Sequence, residues 1–136
     1  MSSHPFSLHP IGVIRSSLED VDHAPRQGSE GAPDAWLELD AAYAPALRGV
    51  AVGDQLTIVT WLDRANRDTL EVRPRDIPSN PLTGVFATRS SDRPNPLGLH
   101  RVTVREIAGT RLLIGPIEAI DGTPVVDIKI ALGEWD

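Results

Sequence analysis

At 136 residues, with 13 basic and 19 acidic side chains and a formal net charge of −6, the chain is long enough for one domain with a real core and too short for two ordinary ones. That charge argues against a broadly basic nucleic-acid surface, and the absence of cysteine excludes a disulfide framework, a thiolate zinc site and a cysteine nucleophile. No apolar run approaches the roughly 20 residues that span a bilayer. Met1 to Pro10 lack the basic start and apolar stretch of a secretory signal, so a soluble cytoplasmic protein with no membrane partner is expected.

In chain order, β-branched alternation predicts strands over His9 to Ser16, Ala35 to Leu39 and Asp54 to Leu62. Between the last two, Ala41 to Leu47 reads as a short helix that Pro45 limits to a turn or two. Val85 to Thr88, His100 to Ile107, Arg111 to Ala119 and Pro124 to Ile130 bring the total to about seven short strands, with turns at Gly109-Thr110 and Asp121-Gly122. The even spacing predicts an all-β fold, either a sheet closed on itself or a sandwich. Two longer loops, Ser17 to Asp34 and Arg64 to Thr83, interrupt it, and loops of that length in a compact domain usually carry function or are disordered.

The most specific stretch is Gly84 to Val102, in which a short apolar strand leads into a stiff polar loop. Pro94 and Pro96 fix their own φ and push Arg93 and Asn95 into extended backbone, so the loop is preorganised before any ligand arrives. Arg89 and Arg93 flank Ser90, Ser91 and Asp92 as donors and acceptors; the plainer reading is a proline-rich turn with solvated arginines. The negative average also hides an asymmetry. Arg64, Arg67, Arg73, Arg75, Arg89, Arg93, Arg101 and Arg105 share their window with only Asp68, Glu71, Asp76 and Asp92. Arginine's planar fork suits carboxylate and phosphate, so an anionic or zwitterionic partner is indicated, although a GC-rich coding sequence gives the same bias.

Several chemistries lack their residues. There is no glycine-rich phosphate loop and no Gly-x-Ser-x-Gly elbow. His4, His9, His23 and His100 show no paired ligand spacing, so no metal is expected.

Four segments occur in a recognisable order: Pro10 to Ser16, Pro25-Arg26-Gln27, Gly84 to Leu99 with its Ala87-Thr88-Arg89 and Arg93-Pro94-Asn95-Pro96 blocks, and Ile120 to Lys129 opening on Ile120-Asp121-Gly122-Thr123-Pro124. Together they resemble the TsaA-like family over nearly the whole chain. The resemblance implies a small, mostly antiparallel β-barrel in a single domain over 1–136. It also implies an S-adenosylmethionine-dependent methyltransferase that binds its cofactor near a homodimer interface. The best-understood members methylate N6 of the threonylcarbamoylated adenosine just 3′ of the tRNA anticodon.

By that resemblance, the cofactor-contacting positions are Pro25, Arg26, Gln27, Asp63, Arg64, Arg89, Leu99, Ile120, Asp121, Gly122 and Thr123. Physically, Leu99 beside Gly98 offers an apolar face for an adenine, Arg89 a fork for a carboxylate, and Asp121 an acceptor for a hydroxyl or ammonium. Gly122 allows close backbone approach, while a simple Asp-Gly hairpin turn explains the same pair. Asp63-Arg64 stands where a histidine is expected in the family. Arg93 and Asn95 are the substrate-side candidates, and no catalytic base is singled out. Many bacterial members carry a further C-terminal domain that helps bind tRNA. The end of this chain at Asp136 and its net charge of −6 weaken the tRNA expectation, which stays the leading one, and favour as first alternative a non-tRNA methyl acceptor; a cofactor-binding module without chemistry is the other alternative.

Overall fold

The structure is a computed structural model that describes residues 5–20, 25 and 31–133. Six strands close into an antiparallel barrel in the order β1 (Gly12–Arg15), β2 (Ala35–Leu39), β7 (Arg111–Gly115), β6 (Leu97–Ala108), β3 (Gln55–Trp61) and β8 (Pro124–Ile130). A separate two-stranded ribbon pairs β4 (Glu71–Val72) with β5 (Thr83–Gly84). Closure leaves the barrel without an exposed edge, which decides for the closed sheet over the sandwich.

Alternation along each strand builds the interior. Ile14, Leu37, Ile58, Val102, Val104, Leu112, Ile114 and Val125 point inward and are buried. β6 is long enough to serve two neighbours: Leu97 to Thr103 pairs with β3, and Thr103 to Ala108 pairs with β7. A register shift between Val104 and Glu106 leaves Arg105 bulged and bends the strand around the barrel wall. The segment Ala41–Leu47 is a 3-10 helix capped by Asp40, whose Oδ1 accepts from the Ala42 amide at 3.0 Å.

Four expectations need correction: the strand expected over His9 to Ser16 is confined to Gly12–Arg15, the one expected over His100 to Ile107 begins at Leu97, and two others differ in kind or length. Val85 to Thr88 is no strand: Val85–Ala87 forms a 3-10 turn, with the Thr88 amide donating to the Val85 carbonyl. The strand expected over Arg111 to Ala119 stops at Gly115, because Pro116 has no amide N–H with which to continue the ladder.

This topology sorts the connections. The β1–β2 connection (16–34), the β3–β6 connection (62–96) and the β7–β8 connection (116–123) all leave from one end of the barrel. The β6–β7 turn at Gly109-Thr110 and the β2–β3 connection that carries the 3-10 helix lie at the other.

Candidate functional site

Every segment singled out in the sequence for a ligand belongs to that first end or to the strand stubs below it. Arg26 and Gln27 fall outside the described residues; Pro25 is half-buried in the β1–β2 connection. The three loops are tied to one another by hydrogen bonds. The Ser16 amide donates to Asp121 Oδ1 at 3.0 Å, the Asp121 amide to the Leu18 carbonyl at 2.6 Å, and the Gly122 amide to the Ile14 carbonyl at 2.7 Å. Arg64 Nη1 donates to the Glu19 carbonyl at 3.2 Å, joining the β3–β6 loop to the β1–β2 loop.

Within the β7–β8 loop, Ile120 and Thr123 are buried, and Thr123 Oγ1 donates to the Ile120 carbonyl at 2.7 Å. Their side chains therefore shape the turn, and Asp121 and Gly122 are what it presents. Asp121 Oδ2 accepts no hydrogen bond from the described residues. Gly122 sits at φ 84° with open space where a Cβ would stand, so glycine is needed for its backbone conformation, while its amide is taken by the Ile14 carbonyl.

The proline-rich loop is held from inside. Arg93 Nη1 donates to the Ser90 carbonyl at 2.9 Å and to the Thr88 carbonyl at 3.3 Å, and Nη2 donates to the Val85 carbonyl at 2.9 Å. The guanidinium read from sequence as a presented donor is thus a half-buried clamp on its own loop. Asn95 is exposed, and its Oδ1 accepts from Arg67 Nη2 at 3.1 Å while Arg67 Nε donates to the Pro94 carbonyl at 2.7 Å. The same guanidinium lies over the Trp61 ring at 5.0 Å. Arg89 and Asp63 are exposed on the same loop system.

Beneath the loop lies a polar layer that sequence reasoning missed. His100 is 5% exposed and Thr60 fully buried, on successive inward-facing levels of β6 and β3 below the loop end. His100 Nδ1 pairs with Glu118 Oε1, and Nε2 lies 2.7 Å from Thr60 Oγ1. A carboxylate only accepts, so Nδ1 carries the proton, and in the neutral ring Nε2 accepts from the Thr60 hydroxyl. Gly98 stands directly opposite Thr60, and a Cβ there would come within 2.7 Å of His100 Nε2. Period-2 alternation puts Thr60 and His100 inside, but Glu118 reaches His100 only because the chain turns back at Gly115. No local signal announces that pairing.

Leu97 and Leu99 point outward, 43% and 42% exposed, paired across to Trp61 and Val59. An open cleft of about 610 Å³ runs beside this wall, where Phe6, Leu8 and Pro10 pass Trp61, Leu97, Pro124 and Val126, with Arg67 and Asn95 at its polar rim. Among the described residues no group of three or more His, Cys, Asp or Glu is placed to hold a metal ion, and no helix is long and apolar enough to cross a membrane.

A closed antiparallel barrel that gathers its long loops at one end, over a buried polar floor, defines a β-barrel domain of loop-capped type. The chain belongs to the tRNA-methyltransferase O N-terminal domain family, whose model matches residues 13–136. A protein of Archaeoglobus fulgidus named a probable S-adenosyl-L-methionine-binding protein is 42% identical over 123 residues, covering 90% of this chain and 33% of that one. The tRNA (adenine(37)-N6)-methyltransferase of Escherichia coli is 38% identical over 137 residues, covering 91% of this chain and 57% of that one. A crystal structure of TrmO from Pseudomonas aeruginosa matches with a TM-score of 0.76 at 30% identity, over 96% of this chain and 58% of that chain. The chain therefore spans between a third and three-fifths of these three relatives.

Proposed function

We propose that the chain binds S-adenosylmethionine at the loop end of the barrel and methylates N6 of the threonylcarbamoylated adenosine next to the tRNA anticodon, in the cytoplasm. The observation that carries this reading is the meeting of the β1–β2 and β7–β8 loops at Asp121-Gly122, where Asp121 Oδ2 accepts no hydrogen bond from the described residues and open space lies over the Gly122 Cα. That pair fits a zwitterionic nucleoside: a carboxylate for an ammonium or ribose hydroxyl, and room for close approach. Leu99, exposed and apolar, fits an adenine face, and Arg89 supplies a fork for an amino-acid carboxylate. Pro25, Arg26 and Gln27 complete the reading from the β1–β2 loop, and Asp63 and Arg64 from the β3–β6 loop.

When bound, the cofactor supplies an electrophilic methyl group on a sulfonium. The chain's own work is to fix geometry, since in-line positioning alone lowers such a barrier by several kcal/mol. Arg93 holds the loop's shape, Asn95 orients the incoming base at its rim, and the Thr60–His100–Glu118 layer keeps Gly98 and the following strand in place beneath. The amine attacks as a neutral group and loses its proton afterwards, so no strong base is required. The outward Leu97 and Leu99 form the face on which a second copy of the chain would complete a homodimer.

Calorimetric titration with S-adenosylmethionine and S-adenosylhomocysteine tests the site, with micromolar binding expected. Asp121→Asn, which keeps an acceptor for the Ser16 amide but loses the carboxylate, should weaken it at least tenfold while leaving the melting temperature within about 2 °C. Failure of the folded protein to bind either ligand would end the reading. Methyl transfer to tRNA carrying the threonylcarbamoyl group, against the same tRNA without it, then tests the substrate. Binding without turnover on any RNA supports the non-catalytic module, and turnover on a different acceptor supports another substrate class.

A further inference from the structure

The arm formed by residues 64–96 differs in charge from the rest of the molecule. It holds six arginines against four carboxylates, while the remainder holds seven basic residues against fifteen acidic ones. Arg64, Arg67, Arg73 and Arg93 direct their guanidinium groups at backbone carbonyls or at Asn95, and none pairs with a carboxylate among the described residues. A carbonyl satisfies a donor without cancelling its charge, so the arm keeps a positive field on an acidic protein.

On this arm stands Phe86, 82% exposed. Its backbone is fixed on both sides: the Val85 side chain is buried, the Val85 amide donates to the Leu70 carbonyl at 2.9 Å, and the Arg93 clamp engages the Val85 and Thr88 carbonyls. A large apolar ring is thus presented to solvent from a turn already ordered, in a positive field. An unpaired nucleobase with its flanking phosphates has the matching chemistry, because the base stacks on the ring and the phosphates meet the arginines. A second copy of the chain matches less well, since a twofold interface centred on this arm would face one positive arm with another.

We infer that Phe86 is a stacking platform for an unpaired base of the RNA substrate, separate from the cofactor contacts. The inference rests on the tRNA reading above. The test uses the whole chain with an anticodon stem-loop RNA, comparing wild type with Phe86→Ala, Phe86→Leu and Phe86→Trp by fluorescence anisotropy at low salt, with cofactor calorimetry and sedimentation on each. Phe86→Ala and Phe86→Leu should weaken RNA binding about tenfold and raise KM for RNA with little change in kcat, Phe86→Trp should stay within about threefold, and cofactor affinity should not move. Unchanged RNA affinity in Phe86→Ala, with wild type binding RNA, overturns the inference alone. Loss of a dimer in Phe86→Ala assigns the ring to a second copy and overturns it too. A wild type that binds cofactor but no RNA overturns the tRNA reading and this inference with it.

Discussion

The two sides of this barrel treat arginine in opposite ways. On the outer wall of β1, β2 and β7, Arg15 Nε and Arg111 Nε flank one carboxylate, Glu38, at 3.2 and 3.6 Å. Arg111 also lies 4.3 Å over the Trp36 ring. On that wall two arginines share one carboxylate and all three side chains are about half open to water. At the loop end, Arg64, Arg67, Arg73 and Arg93 are bonded to carbonyls instead, so geometry is fixed while charge is retained. Carboxylate partners make a quiet surface, and carbonyl partners make one ready for an anion.

The comparison is broken most severely at the polar floor. His100→Ala removes the partner of the fully buried Thr60 hydroxyl and of Glu118 and leaves a void, so urea unfolding should show a loss of about 3 kcal/mol. A loss below about 1 kcal/mol would mean that the layer contributes little to holding the loop end. Next comes the clamp. Arg93→Lys keeps the charge but loses the fork that reaches three carbonyls, and should release the loop by about 1 kcal/mol. Hydrogen exchange at residues 84–96 should accelerate about fivefold while the barrel strands stay protected, and acceleration spread evenly over the barrel would count against a local clamp. The wall should hardly respond. Glu38→Gln cuts two exposed ion pairs at once and should change stability by about 0.5 kcal/mol or less, shrinking further in high salt. A larger effect there would show that the two sides are not as different as their partners indicate.

Alternating apolar residues in Ala35 to Leu39, Asp54 to Leu62 and Pro124 to Ile130 located three strands to within a residue, because period-2 burial is written locally. Pro45 likewise held the helical segment expected over Ala41 to Leu47 to a short 3-10 run. Val85 to Thr88 misled for the same local reason: its apolar residues read as a strand, while Arg93, eight residues past Val85, pulls that carbonyl into a turn. The motif order also carried the family and the candidate residues Asp121, Gly122 and Leu99. What no local pattern contained was adjacency. That Ser16 would meet Asp121, that Glu118 would reach His100, and that three loops would share one end follow from barrel closure, where each pairing joins residues distant in the chain. Period-2 alternation was enough to say which residues could face inward, and motif order to nominate the segments proposed for a ligand; which of them meet was settled by barrel closure, because hydrogen bonds between loops depend on the strand order and not on spacing along the chain.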